Sequence, residues 1–472
     1  MTRRSPLRLL ALSSLLLAAA CAVGPGYRRP PMTTPPAFKE ASGWAPAAPQ
    51  DGIDRGDWWT IFGDDKLNEL EAKVEVSNQN LKAAEAAYRQ ARALVTEDRA
   101  SLFPALDLTG GATRSKSANG GAAAVQASAR NSFQAAIGGS WEIDLWGKIR
   151  RTVESAKGSA QASAADLANA RLSAQSELAA DYVQLRLADA DKRLLAATAE
   201  AYTRSLQITQ NQYKVGVSAK SDVLQAETQL ISTQANLVDV DRQRTAAEHA
   251  IAVLIGVPPA DLTIEAVADW APKPPPTPVG LPSTLLQRRP DVAAAERRAM
   301  AANAQIGVAE AAFFPDLTLT GSYGFGSTAL NTLFNSSSAA WSYGGSAAQT
   351  LFDAGATLAK VRGAKAGYDQ AVANYRQTVL TAFQQVEDDL AAARVLQDEG
   401  VLRERASASA DQAEQILLNQ YRAGQVAYTS VVVAQATALS ARQALLTVQG
   451  QRITNAVSLI TALGGGWTGK LD

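Results

Sequence analysis

Residues Phe103-Pro104-Ala105-Leu106-Asp107-Leu108-Thr109-Gly110 return as Phe314-Pro315-Asp316-Leu317-Thr318-Leu319-Thr320-Gly321, displaced by 211 positions. Two landmarks of another kind come back in the same order. Asn211-Gln212-Tyr213-Lys214-Val215-Gly216 reappears as Asn419-Gln420-Tyr421-Arg422-Ala423-Gly424, and Leu254-Ile255-Gly256 as Ala462-Leu463-Gly464, each at an offset of 208. A nearly constant offset over three landmarks marks an internal duplication, so the chain reads as two copies of one unit.

The first copy, residues 58–282, opens with an Ala-rich helical pattern from about Leu67 to Ser101 that ends at Pro104, because a proline pushes its predecessor out of helical space. Two period-two segments, about 104–115 and 131–146, are predicted as a strand hairpin. In the second of them Phe133, Ala135, Ile137, Gly139, Trp141, Ile143 and Leu145 fall on one face. The stretch between, Ser115–Arg130, is rich in Gly, Ala, Ser and Asn and reads as a loop. From Lys148 to Val257 there is no proline and the composition is that of good helix formers, which predicts long helices over about 148–214 and 220–256 broken near Gly216. The first, at ~1.5 Å per residue, would reach ~100 Å. A connector at 257–282 holds eight prolines. The second copy, 283–472, repeats the series with strands at about 315–326 and 340–352 and helices at about 355–422 and 427–463. Val432, Leu439, Leu446, Ile453 and Ile460 recur every seven residues, so the last helix carries a coiled-coil seam and packs lengthwise on a partner.

Charge narrows the function classes. Lys plus Arg total 45 and Asp plus Glu total 45, so no net field draws the chain to nucleic acid or an anionic surface. One cysteine, Cys21, excludes an intrachain disulfide, and one histidine, His249, leaves metal and thiol chemistry little to work with. No cofactor is expected, and no enzyme. Residues 1–20 read as a secretory signal, with Arg3, Arg4 and Arg8 before an apolar run too short to span a bilayer. The run ends Ala18-Ala19-Ala20-Cys21, similar to a lipobox, which makes Cys21 the expected lipidation site and first mature residue. Residues 21–57 then form a Pro-rich strap.

Four strands of ~10 residues are long enough to cross an outer membrane when tilted, but a spanning sheet cannot leave edges unpaired in lipid, and the smallest closed barrels have ~8 strands. Several copies must therefore contribute strands jointly. Helices of ~100 Å with an apolar seam make the same demand, since only neighbours of similar length cover them.

Three motifs carry a resemblance over nearly the whole mature chain: Trp58-Trp59-Thr60-Ile61-Phe62-Gly63-Asp64 ahead of Leu67-Asn68-Glu69-Leu70; Leu281-Pro282-Ser283 with Arg288-Arg289-Pro290-Asp291-Val292; and Ile306-Gly307-Val308-Ala309-Glu310-Ala311-Ala312-Phe313-Phe314-Pro315. They resemble the outer-membrane factor family of TolC and OprM, nearest its lipoprotein branch. The resemblance implies a mainly helical fold with a membrane β part: a homotrimer whose 12-stranded β-barrel, four strands per chain, sits in outer-membrane lipid and continues as a periplasmic helical barrel. It implies a passive efflux duct working with an inner-membrane pump and a periplasmic adaptor. A duct for protein secretion and a non-conducting lipid-anchored scaffold are the alternatives.

By the same resemblance the turns at Tyr213–Gly216 and Tyr421–Gly424 form the periplasmic tip, where polar links around Tyr421 and Arg422 hold an aperture shut. By local chemistry alone each glycine ends a helix and each tyrosine packs beneath it. Relatives often carry an aspartate just past the second turn. Here that position is Val433, with Thr429 one turn earlier, which replaces an acidic ring by an apolar constriction. Asp222 matches the family pattern after the first turn, or equally caps its helix. Arg289-Pro290-Asp291 suits a helix start, and Gly464–Lys470 fails as a phosphate loop because Leu471 stands where Ser or Thr is needed and no helix can follow. Aromatic residues near the strand ends suit an interfacial girdle. Replacing Cys21 with Ser is expected to abolish incorporation of labelled fatty acid.

Overall fold

The computed structural model describes residues 22–41, 57–116, 129–267, 270 and 288–467. Cys21, the loop at 117–128 and the Leu281-Pro282-Ser283 motif lie outside these residues. In chain order the main elements are helices α1 (Asp65–Ser77) and α2 (Gln79–Ala100), strands β1 (Ala105–Ser115) and β2 (Arg130–Glu142), helices α3 (Lys148–Lys214), α4 (Lys220–Leu254) and α5 (Pro290–Ala311), strands β3 (Asp316–Ser327) and β4 (Ala339–Ala348), and helices α6 (Ala356–Arg422) and α7 (Tyr428–Ala462). Both α3 and α6 run for 67 residues, and both α4 and α7 for 35.

Two units are distinguished. The first, Met1–Pro31, Ala87–Ser163 and Ala294–Arg376, contains the sheet; the second, Met32–Ala86, Ala164–Ala293 and Gln377–Asp472, contains most of the helical mass. The sheet is antiparallel in the order β1-β2-β3-β4, so its outer edges are β1 and β4. Two strands stop short of their expected ends. The period-two pattern of β2 continues through Ile143 and Leu145, yet the strand ends at Glu142. Gly147 turns the chain at φ +83°, and the Asp144 carboxylate accepts the Arg150 N–H at 2.9 Å, starting α3. Likewise β4 ends at Ala348 rather than 352. Ala354 and Gly355 both have positive φ, and Asp353 accepts from Gly355 and Thr357 at the start of α6. A helix cap thus overrides hydrophobic alternation at both hairpin exits.

The second unit is held by one apolar cluster. Trp58 and Trp59, with Leu67, Leu70 and Val74 on one face of α1, pack with Leu178 and Leu185 of α3, Ile251 of α4, and Val457 and Ile460 of α7. Each fully buried Leu or Ile contributes roughly 1.5–3 kcal/mol. The heptad seam of α7 does find its partner here: Leu439 packs with Leu195 of α3 and Val240 of α4. The N-terminal strap binds within each unit separately. Val23 and Gly24 accept from Arg151, Tyr27 donates to Glu296 at 2.6 Å, and, in the second unit, Glu387 accepts the Lys39 and Glu40 N–H groups.

Glu71 is enclosed in α1 with neither carboxylate oxygen hydrogen-bonded. Burial pushes its carboxyl up to about 9 from the ordinary 4.5. The folded chain therefore keeps this proton between those two values while the unfolded chain releases it, and stability falls as pH rises through that window. Glu71→Leu is expected to raise the thermal midpoint at pH 8 and flatten its pH dependence, as measured by circular dichroism melts.

Candidate functional site

The register of the sheet sorts its side chains by chemistry. Leu108 pairs with Ile137, Ile137 with Tyr323, and Tyr323 with Trp341, all on one face; Trp141 pairs with Leu319 on the same face. The opposite face aligns Ser140 with Thr320 and Ser322 with Ser342, whose hydroxyls are 2.8 Å apart. The apolar face is uncovered: Leu106, Leu108, Tyr323, Trp341 and Tyr343 are each more than half exposed. A soluble sheet buries such a face, whereas a membrane barrel turns it to lipid and its polar face to water. Eleven residues of β1 at ~3.3 Å each, tilted by ~40°, cover roughly 27 Å, near the thickness of a bilayer core.

Aromatic rings mark both ends of this band. Near the helices, Trp146 stacks on Phe314 at 4.8 Å and donates to the Pro315 carbonyl, and Trp141 donates to the Leu102 carbonyl. Toward the β3–β4 loop, Phe325 meets Tyr323 and Phe334 edge-on. Lys148, at the first turn of α3, bridges Glu142 and Asp316 at 3.0 and 3.2 Å, tying the ends of β2 and β3.

In the second unit the two long turns share one geometry. Gly216 sits at φ +79° and donates to Tyr213 O at 3.0 Å while Val217 donates to Gln212 O at 2.9 Å. At the other, Gly424 sits at φ +72° and donates to Tyr421 O, with Gln425 donating to Gln420 O, both at 2.9 Å. These paired bonds are the Schellman closure, which satisfies orphan carbonyls and requires a left-handed residue. Neither glycine has a neighbour within 4 Å of an added Cβ, so the requirement is purely conformational.

The tyrosines differ. Tyr421 is buried against Tyr428, with ring centroids 5.0 Å apart, and its hydroxyl reaches Thr209 of α3. Tyr213 is nearly half exposed, so the expectation that each tyrosine packs beneath its glycine holds only for the second copy. Asp222 takes the capping geometry, accepting from the Ser218 hydroxyl at 2.7 Å and the Ala219 N–H at 3.3 Å. Arg422, Thr429 and Val433 are exposed, and the last two line a groove of about 520 Å³ between α6 and α7, together with Ala410, Ala413 and Leu417.

Three features escaped the sequence reading. Gln435 of α7 is buried, its side-chain amide donating to the Ser205 hydroxyl at 3.2 Å and its backbone carbonyl accepting from the Tyr202 hydroxyl at 3.1 Å. A belt network runs from Asp64 through Tyr182, Arg186 and Asp189 to Arg244 and Glu248, and it fixes the extended residues Ile264 and Glu265. The spacing of Tyr182, Arg186 and Asp189, at steps of four and three on one helix face, was the available signal. A cavity of about 560 Å³ is lined by Glu177, Arg289, Asp291, Asp388 and Asp389. Burial, then Asp388, pushes Asp389 up to about 6. Arg289 there holds Asp291 with two bonds, at 2.7 and 3.0 Å, and α5 starts at Pro290, as the helix-start reading expected.

A four-stranded sheet with an exposed apolar face, joined in sequence to helical hairpins of 67 and 35 residues, defines the subunit of an outer-membrane channel. The chain belongs to the Outer membrane efflux protein family, whose pattern matches residues 72–257 and again 281–465. It is 31% identical over 468 residues to the cation efflux system protein CusC of Escherichia coli O6:H1, covering 98% of this chain and 99% of that one. It is 30% identical to the antibiotic efflux pump outer membrane protein ArpC of Pseudomonas putida, covering 97% and 95%. Among solved structures the outer-membrane channel OprN aligns with a TM-score of 0.87 at 33% identity, over 95% of this chain and 100% of that one. The fold class read from the sequence, a TolC-like helical and β architecture in two repeats, is therefore established, as is the outer-membrane location.

Because only backbone conformation constrains these two turn glycines, Gly424→Ala is expected to cost about 1–2 kcal/mol, with Gly216→Ala similar, measured as a lowered thermal midpoint. Gly256→Ala should cost more, since its Cβ would lie 2.3 Å from the Ser77 carbonyl oxygen as well as at φ +70°.

Proposed function

We propose that this chain assembles as a homotrimer and serves as the exit duct of a tripartite efflux system, receiving solutes from an inner-membrane pump and a periplasmic adaptor. The observation that carries the reading is the four-stranded sheet with one largely exposed apolar face and two free edges. Three such sheets give twelve strands, enough to close a barrel with a polar lumen. The strap supports a lipid anchor at Cys21 in the periplasmic leaflet, because Val23, two residues on, donates to the carbonyl of Trp146, whose ring stacks on Phe314 in the aromatic band.

The turns at Gly216 and Gly424 then form the periplasmic tip, with Tyr213, Asp222, Tyr421, Arg422, Thr429 and Val433 around the aperture. Asp222 is engaged as a cap, and Thr429 and Val433 are the exposed residues just past the second turn. With Val433 and Thr429 at the constriction and Asp222 offset by Arg422, the aperture carries no net charge, which favours organic or amphiphilic solutes over bare cations. Family members serve both kinds of cargo, as the CusC and ArpC names state. A secretion duct has no specific feature of this chain in its favour.

Purified protein in planar bilayers is expected to conduct with little preference between K⁺ and Cl⁻, and Val433→Asp should shift the reversal potential toward cation selectivity. Absence of any conductance would defeat the duct reading. A deletion strain is expected to become sensitive to dyes and antibiotics with its secreted proteins unchanged.

A further inference from the structure

The charges of the sheet are sorted by end. Between Asp107 and Glu142 the charged residues are Arg114, Lys116 and Arg130, all basic, and from Leu317 to Phe352 there are none. The carboxylates of the strands, Asp107, Glu142 and Asp316, lie toward the helices, where Lys148 pairs with the last two. Arg114 stands seven residues beyond Asp107 on β1, about 23 Å further from the helices at ~3.3 Å per residue. The far rim of the sheet is therefore purely basic.

Register fixes which way this rim faces. Leu106, Leu108 and Arg114 share one side of β1, so Arg114 is on the apolar face, opposite Asn131 and exposed. Arg130 pairs with Ser115 on the other face, which leaves Arg114, with Lys116 just past the strand, as the outward charge. One row nearer the helices, Phe133 pairs with Ala112 and Ser327; a row further in, Phe325 pairs with Ala135. Phe334 of the β3–β4 loop meets the Phe325 ring edge-on at 5.5 Å, so this loop lies against the outward face. Its shape is held by the Ser327 and Thr332 hydroxyls, 2.7 Å apart, and by Ser338 donating to the Thr332 carbonyl at 2.8 Å. It presents Leu330 and Phe334, 65% and 70% exposed, and carries no charge.

We infer that this outward rim, Arg114 and Lys116 above the rings of Phe133, Phe325 and Phe334, docks the phosphate-bearing headgroup of an outer-leaflet lipid. A guanidinium at the middle of a lipid face is costly, whereas at the interface it is nearly free and meets a phosphate with paired N–H donors. Aromatic rings suit the depth just beneath, between headgroups and chains. Leu330 and Phe334 carry the lipid-facing band up to that depth, so the surface runs from cation through ring to aliphatic side chain, the order in which a lipid presents phosphate, linkage and acyl chain. The hairpins supply no carboxylate at this end to engage Arg114 in its place. The inference rests on the duct reading, which puts the helices in the periplasm and this rim on the outer side.

The test uses the full-length protein in mild detergent, with fluorescent phosphorylated lipid A as the probe and its dephosphorylated form for comparison. Wild-type protein is expected to bind the phosphorylated form more tightly by on the order of tenfold. Arg114→Gln combined with Lys116→Gln should erase that preference, and Arg114→Lys combined with Lys116→Arg should keep most of it. Lys360→Gln with Arg362→Gln, the same loss of charge near the start of α6, should leave it intact. Phe334→Ser should weaken binding of both forms alike. Equal binding of the two lipids by wild type, competition by inorganic phosphate at equal concentration, or an unchanged preference in the glutamine pair would overturn the docking surface. Each variant should conduct in planar bilayers as wild type does, which shows insertion and leaves the duct standing where lipid binding is lost. Should the glutamine pair fail to conduct, Lys116→Gln alone, outside the strand, must still lower the preference. A wild type without conductance would remove the duct and this inference together.

Discussion

Backbone hydrogen bonding in a medium without water governs the molecule. A strand in lipid has no solvent to satisfy its N–H and C=O groups, and each unsatisfied group costs several kcal/mol. β1 and β4 each present a full row of such groups along 11 and 10 residues. The chain thus cannot fold to completion by itself. The apolar outer face adds to the constraint, because it excludes the other remedy, covering the edge with a soluble layer. Closure with identical copies, the assembly proposed above, would meet that constraint, and the junctions from which α3 and α6 continue are fixed by Lys148 and by the Asp144 and Asp353 caps.

The duplication is preserved where it fixes geometry. Asn78 donates to the Leu254 carbonyl in the first copy, and Arg289, 211 positions later, donates to the Ala462 carbonyl, 208 positions after Leu254. Gly256 abuts Ser77 O as Gly464 abuts Arg288 O, and in both cases a Cβ would meet backbone within 2.3 Å. The same joint, a Schellman glycine closing a descending helix against the start of an earlier one, is built twice from different donors. An amide serves in one copy and a guanidinium in the other, which shows that the position of a hydrogen-bond donor is conserved between copies more strictly than its chemistry.

Fold class was legible because its signals are periodic and long: three repeat landmarks, alternation in the strands, and an unbroken run of helix formers. Where local and periodic signals competed, the local one won. Ile143 and Leu145 continue the alternation of β2, but Asp144 caps α3 and stops the strand; Leu351 and Phe352 lose in the same way to Asp353. The turn glycines were legible from Tyr-x-x-Gly spacing, yet the difference between Tyr213 and Tyr421 was not, because it depends on Thr209 and Tyr428 from other helices. Gln435 and Glu71 are invisible to pattern reading, since their meaning lies in being enclosed, and enclosure is a tertiary fact.

The copies diverge in charge rather than in shape. α7 contains no acidic residue, and its only charges are Arg442, which pairs with Asp411 and Glu414 of α6, and Arg452. α4, at the same place in the repeat and of the same length, carries Asp222, Glu227, Asp239, Asp241 and Glu248. Fourteen residues of α7 are buried against eight of α4, so α7 is the helix more deeply packed within its own subunit. Desolvating charge is expensive, and a helix buried on several sides must shed it. α4 can keep its carboxylates because fewer of its residues are enclosed, and Glu227 and Asp239 face solvent. The same duplication has therefore produced one helix committed to the subunit's interior and one that keeps a charged, solvent-facing flank.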